Sequence, residues 1–186
     1  VLVLDKSNTL SFAAATDPMR AANRRAGRSL FNWSFYTATG TPAGLTTGLS
    51  VNGPAIAELS QCDLLIVVAG FELERHATPR LMASLRRIAS ADASIIAIDG
   101  GPWLLANAGL LDGLDATTHW EDLEDFASRF PNVHLRRDRY CISPPFATSG
   151  CVDGISSISS SSCRTCSSSR HASPGRGARA ARAVAP

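Results

Sequence analysis

Apolar residues occur along this chain in short runs, separated by stretches in which they recur every three or four positions. Leu64-Leu-Ile-Val-Val68 and Ser94 to Ile98 are almost continuous apolar runs rich in β-branched residues, as strands covered on both faces are. Val1 to Leu4 reads as a first strand, and Phe31 to Thr39 has strand composition. Leu45 to Asn52, after a Gly- and Pro-containing link, suits a hairpin or a short edge excursion, and His134 to Ile142 with Phe146 to Ser149 suits a final pair of strands. Between these runs the period changes. Thr9 to Arg25 is alanine-rich and helical, with Asp17-Pro18 either opening a helix or kinking a longer one. Thr78-Pro79 opens a helix with Leu81, Leu85, Ile88 and Ala89 on one face. Thr117 to Trp120 reads as a strand end, and Thr118 with Glu121 matches a capping box for a helix striped by Leu123, Phe126, Ala127 and Phe130. Strands alternating with helices predict an α/β protein: a doubly wound, mostly parallel sheet with helices on both faces, a three-layer sandwich.

The most informative junction is Ser94 to Gly113. Its strand ends at Asp99, Gly100 and Gly101 allow a sharp turn, Pro102 fits a first helical turn, and Leu104, Leu105 and Ala108 make the buried face of the helix that follows. Such a junction holds its turn residue at the carboxyl end of a strand, where open α/β sheets bind ligands. In hydrolases of this geometry the turn residue is a nucleophile. Here it is a carboxylate. Asp99 can serve as a helix N-cap, as a pocket carboxylate that pairs with an ammonium or guanidinium group, or as a nucleophile if a base is positioned beside it.

Composition adds limits. At 186 residues the chain suits one domain of ordinary size, and no apolar run approaches the roughly 20 residues needed to span a bilayer. No basic segment precedes Val1, so a first strand with residues missing upstream is expected rather than a signal peptide, in a cytoplasmic protein. The net charge of +2 is unevenly placed, +4 from Cys151 onward and −2 before it, so the globular part is not a nucleic-acid-seeking surface. From Ser156 to Ser169 nine of fourteen residues are serine, and a Gly/Ala/Arg/Pro segment follows. A domain over 1–150 and a disordered tail over 151–186 are expected. Cys163 and Cys166 have CxxC spacing, without a second pair or the apolar helix of a redox site, and no metal or cofactor is expected.

Five segments carry a resemblance: Asp17-Pro-Met-Arg-Ala-Ala-Asn23, Gly27 to Trp33, Ala106-Asn-Ala-Gly-Leu-Leu-Asp-Gly113, Ala116-Thr-Thr-His-Trp-Glu121, and Asp138-Arg-Tyr140 through Ala147-Thr-Ser-Gly150. In order and spacing they resemble the N-terminal sensor domain of AraC-type transcriptional regulators whose sensor has the ThiJ/PfpI, or class I glutamine amidotransferase-like, fold. The resemblance implies a flavodoxin-like sandwich that senses a small effector, usually dimerises, and precedes a pair of DNA-binding helix-turn-helix units, absent from these residues. Members of this branch respond to amino acids and related cationic metabolites. Catalytic relatives place a cysteine at the turn, with a nearby histidine and an acidic residue from the first helix region. Asp99 stands at the cysteine position here and Ser11 about where the acid belongs.

The expected activity is therefore effector binding without catalysis, with no catalytic residue and a ligand site at Asp99, Gly100, His119, Gly70, Phe71 and Ser11. Phe71 replaces the second glycine of a pair that lends backbone amides to an oxyanion hole, which favours a shaped ligand wall. The expected partners are a small-molecule effector and a second copy of the chain, with DNA reached only through the missing helix-turn-helix domain and no membrane. The alternative is a hydrolase or amidotransferase-like enzyme of the same superfamily with Asp99 as nucleophile. After Gly150 the family pattern stops. Codons for Asp-Leu-Ile read one base late give Ile-Ser and then serine, so residues from about Cys151 are read as an out-of-frame translation, to be checked in the gene's other frame.

Overall fold

The computed structural model describes residues 1–150. The expectations for the serine- and arginine-rich tail, its CxxC spacing and its reading frame lie outside the described residues.

Six strands form the central sheet: β1 (Leu2–Val3), β2 (Tyr36–Thr37), β5 (Leu64–Ala69), β6 (Ser94–Asp99), β9 (Tyr140–Ser143) and β10 (Phe146–Ser149), in the order β2-β1-β5-β6-β10-β9. Five run parallel and β9 is antiparallel to β10 at one edge. Two small two-stranded ladders lie outside it, β3 (Ala43–Gly44) with β4 (Ser50–Val51), and β7 (Asp115–Ala116) with β8 (His134–Leu135). The helices are α1 (Thr9–Ala26), α2 (Leu73–His76), α3 (Pro79–Ala89), α4 (Gly101–Asn107) and α5 (Leu123–Arg129).

Period-two alternation divides the two central strands between two cores. Leu65 and Val67 of β5 and Ile95 and Ala97 of β6 join the core built with Leu81 and Leu85 of α3, Leu104 and Leu105 of α4, and Phe126 of α5. Ile66, Val68, Ile96 and Ile98 join the core on the other face, with Ala15 of α1 and Ala147 of β10. This is the doubly wound, mostly parallel three-layer sandwich that the alternating pattern predicts.

The structure corrects four local expectations. Phe31 to Phe35 is not strand, and Asn23 holds the start of the segment: Asn23 Oδ1 accepts from the N–H groups of Leu30 and Phe31 at 2.8 and 2.9 Å, and Asn23 Nδ2 donates to Phe31 O at 2.7 Å. Thr118 does not cap a helix, since its hydroxyl turns back to the Asp99 carbonyl at 3.4 Å and a short 3-10 turn, Trp120–Asp122, precedes α5. Thr117 to His119 is likewise not strand. His134 to Ile142 splits into β8 and β9, with residues 136–139 leaving the ladder. Pro18 lies inside α1, which runs continuously for 18 residues from its Asn8 cap to the left-handed Gly27.

Candidate functional site

The chain reverses direction across the sheet between β1 and β5, and the loops after their carboxyl ends meet there. A Cβ on Gly70 would stand 2.7 Å from the Lys6 carbonyl oxygen and 3.1 Å from the Asn8 nitrogen, so glycine is what lets these loops touch. One strand further along, β6 ends at Asp99. Its φ of 62° is left-handed, a conformation that costs a side-chain-bearing residue about 1–2 kcal/mol. Three contacts hold it: Asp99 pairs with Ala69 in the ladder, the Gly100 N–H donates to Ala69 O at 3.0 Å, and the Thr118 hydroxyl donates to the Asp99 carbonyl. Gly100 serves the turn rather than the ligand surface. It is buried, and a Cβ there would lie 2.7 Å from the Gly70 carbonyl oxygen and 2.6 Å from Leu73 Cδ2.

The left-handed turn presents the Asp99 carboxylate to a cavity of about 310 Å³. Its lining comprises Asn8, Gly70, Phe71, Glu72, Leu73, Glu74, Asp99, Trp103, His119, Glu121, Asp122 and Asp125. Four of the six predicted residues, Asp99, Gly70, Phe71 and His119, line it together. Ser11 sits behind them, 3 % exposed, and its hydroxyl donates to Asp99 Oδ2 at 3.0 Å. The Phe71 backbone N–H donates to Lys6 O at 3.3 Å while the ring is largely exposed, so this residue offers the cavity a wall and not an oxyanion donor. Trp103 packs edge-on to Phe126 and Phe130, with ring centroids 5.6 and 5.4 Å away. Its indole N–H is fully buried and lacks a hydrogen-bond partner, which puts it on the protein side of the wall.

The electrostatics are one-sided. Burial pushes the Asp99 carboxyl above the usual carboxylate range, opposed by the Ser11 hydrogen bond and by His119 and reinforced by Asp122. Asp122 is also raised, first by burial and then by Glu121 and Asp125, with His119 opposing. Sequence reasoning missed Glu72, Glu74, Asp122 and Asp125 as cavity residues. They stand in or beside two short helices, α2 and α5, that are far apart in sequence, and only the fold gathers them. Among the described residues no group of three or more His, Cys, Asp or Glu is arranged to hold a metal ion.

The sequence from residue 48 to 145, over half of the chain, matches the DJ-1/PfpI family. The chain belongs to that family. Within it, the chain is 38% identical over 158 residues to the HTH-type transcriptional regulator CdhR of Pseudomonas aeruginosa, covering 84% of this chain and 46% of CdhR. It is 36% identical over 143 residues to the HTH-type transcriptional regulator GlxA of Rhizobium meliloti, covering 76% of this chain and 44% of GlxA. The chain thus spans less than half the length of these curated relatives. Among solved structures, an AraC family transcriptional regulator from Pseudomonas putida superposes with a TM-score of 0.76 at 21% identity, over 88% of this chain and 89% of that one. That likeness establishes the fold.

Proposed function

We propose that residues 1–150 are the effector-sensing domain of an AraC-type transcriptional regulator, which binds a small cationic, amino-acid-related metabolite at Asp99 without turning it over. The observation that carries this reading is the half-buried Asp99 carboxylate, held in a left-handed turn at the end of β6 and facing a cavity whose charged lining is almost wholly acidic. A carboxylate kept partly out of water gains most from a cation that restores its lost solvation. The relatives named as HTH-type transcriptional regulators support the regulatory role. In the full-length protein DNA contact falls to a helix-turn-helix segment, and sensing acts through a homodimer in the cytoplasm. A ligand signals there only by binding one of two states more tightly than the other. Among the described residues no helix is long and apolar enough to cross a membrane.

A thermal-shift screen of amino acids and amines against the 186-residue chain tests this reading. Shifts from cationic metabolites that vanish in Asp99→Asn are the expected result. Turnover of an amide or ester substrate without any shift favours the hydrolase alternative instead.

A further inference from the structure

Between β5 and α3 the chain runs through residues 71–80 without placing one of them in the interior. On either side it lies deep in the protein, with Val67, Val68 and Ala69 fully buried before this segment and Leu81 and Leu85 after it. The segment contains α2, whose four residues are too few to hold a helix by their own hydrogen bonds. It enters α2 at Glu72 with a left-handed φ of 56°, a further local cost for a residue with a side chain. Yet it supplies Phe71, Glu72, Leu73 and Glu74 to the lining of the Asp99 cavity.

Few contacts hold this wall to the rest of the fold. Leu73 and Ala77 are partly buried against the main core. The Phe71 N–H donates to the Lys6 carbonyl at 3.3 Å, beyond the usual range for such a bond. Glu74 reaches Arg129 of α5 at 3.3 Å, but both side chains are more than half exposed, so the pair contributes little. The shortest polar link out of the segment is His76, whose Nε2 lies 2.9 Å from the Asp5 carbonyl oxygen. A carbonyl can only accept, so Nε2 carries the proton and donates. Asp5 and Lys6 both follow β1, so these two hydrogen bonds tie the segment to one neighbouring loop.

We propose that residues 71–77 form a strap that opens as one unit, and that His76 is its latch on the loop after β1. Opening carries four lining residues away together, and one wall of the cavity goes with them. Segments with no buried side chain and few bonds to their neighbours have the lowest opening free energies in a fold, and the elements that move on ligand binding are drawn from them. A sensor needs two states that a ligand can tell apart, and the strap supplies them. The proposal goes beyond the cation-sensing reading. Its opening is measured without any ligand, so either can fail while the other stands.

Native-state hydrogen exchange, read by NMR on the 186-residue chain, tests it. The N–H groups of Phe71, Arg75 and Ala77, bonded to the carbonyls of Lys6, Glu72 and Leu73, are the reporters. In the parent they are expected to share one degree of protection that barely changes with low urea, because a strap exposes little surface when it opens. His76→Leu keeps the bulk of the side chain and removes the donor. It is expected to speed all three amides about three- to tenfold, the effect of losing one hydrogen bond. His76→Gln restores a donor and is expected to stay within about twofold of the parent, as is Glu74→Gln, which breaks only the exposed ion pair. The Val67 and Leu85 amides are expected to keep their parent rates in all three variants. Reporters with unrelated protection, or ones that follow urea as steeply as Val67 and Leu85, overturn the strap. A His76→Leu variant with unchanged reporters, or one that speeds Val67 and Leu85 alongside them, overturns the latch, and so does equal acceleration in Glu74→Gln.

Discussion

The protein has a cavity at each end of its parallel sheet, and the larger one is the less informative. At the amino ends of β1 and β5 a hollow of about 480 Å³ is bounded by Leu30, Phe31, Trp33, Tyr36, Leu64 and Ile66 among others. At the carboxyl ends the cavity is about 310 Å³ and holds Asp99, with five further acids around it. Volume alone favours the first. The second has the features of a built site: a side-chain-bearing residue in a left-handed turn, a buried hydroxyl committed to its carboxylate, and like charges left facing one space. The left-handed turn and the facing like charges cost stability and the Ser11 hydroxyl offsets part of that cost, whereas the apolar hollow leaves apolar side chains partly wet, which is ordinary for protein surfaces. The contrast shows that a site is recognised by what the fold sustains against a local cost, and in open α/β sheets that happens at the carboxyl ends.

The comparison is broken most severely by removing what supports the acidic end. Phe126 is fully buried, contacts Trp103 and Phe130, and fixes α5, which carries Asp125. Phe126→Ala is expected to cost about 3–5 kcal/mol in urea unfolding, by loss of burial and creation of a cavity. Gly100→Ala comes next. Its Cβ would meet the Gly70 carbonyl oxygen at 2.7 Å, and a backbone oxygen has less room to yield than a side-chain tip. A loss of about 1–3 kcal/mol is expected, together with weaker amine binding as the Asp99 turn shifts. Unchanged stability in Gly100→Ala shows that the turn is looser than its contacts indicate.

Much of this architecture is legible in the residues, and the exceptions share a cause. The runs at Leu64 and Ser94 identify themselves because a buried parallel strand leaves little choice but β-branched and aliphatic residues. Asp99 is conspicuous because the strand, two glycines and a proline fix its position in the fold before any contact is known. Phe31 to Phe35 misleads because strand composition cannot reveal that the Asn23 amide, several residues upstream, takes the hydrogen bonds at its start. Thr118 misleads for a similar reason, its hydroxyl having a distant partner in the Asp99 carbonyl. Glu72, Glu74, Asp122 and Asp125 were invisible as a group, because convergence of separate loops on one cavity has no counterpart in local spacing.

A third substitution separates the cost of the acidic end from its use. Burial holds the Asp99 carboxyl above its ordinary range in the fold, so at neutral pH the native state bears a desolvation cost that the unfolded chain does not. As pH falls through the raised folded value toward the unfolded one, the native state takes up the proton first, and the contribution of this group to stability rises. Asp99→Asn removes the charge and keeps a residue tolerant of left-handed backbone. At neutral pH without ligand it is expected to stabilise the domain by about 0.5–2 kcal/mol, an advantage that shrinks to nothing as pH falls through that window. Binding moves the other way, with the parent's affinity for an amine falling as Asp99 gains its proton. Asp122 is raised by burial too and remains in the variant, so the difference between the two unfolding profiles, rather than either alone, reports Asp99. A destabilised Asp99→Asn at neutral pH contradicts the claim that the carboxylate is held at a cost.

The smallest effect is expected at the apolar end, and there the comparison is sharpened by what fails to change. Leu30 is 47 % exposed, so its side chain already meets water and the fold gains little from it. Leu30→Ser removes apolar surface from the rim of the larger hollow, far along the strands from Asp99. It is expected to shift stability by less than about 0.5 kcal/mol, as surface substitutions away from caps, cores and buried charges do. Amine affinity measured on the same preparation is expected to match the parent within error, because neither Asp99 nor its Ser11 partner lines this hollow. A drop in amine affinity has one of two physical meanings: the ligand sits in the apolar hollow, or the two ends of the sheet are coupled through β1 and β5. Repeating the titration in Leu30→Ser/Asp99→Asn distinguishes them, since independent effects add and coupled ones do not.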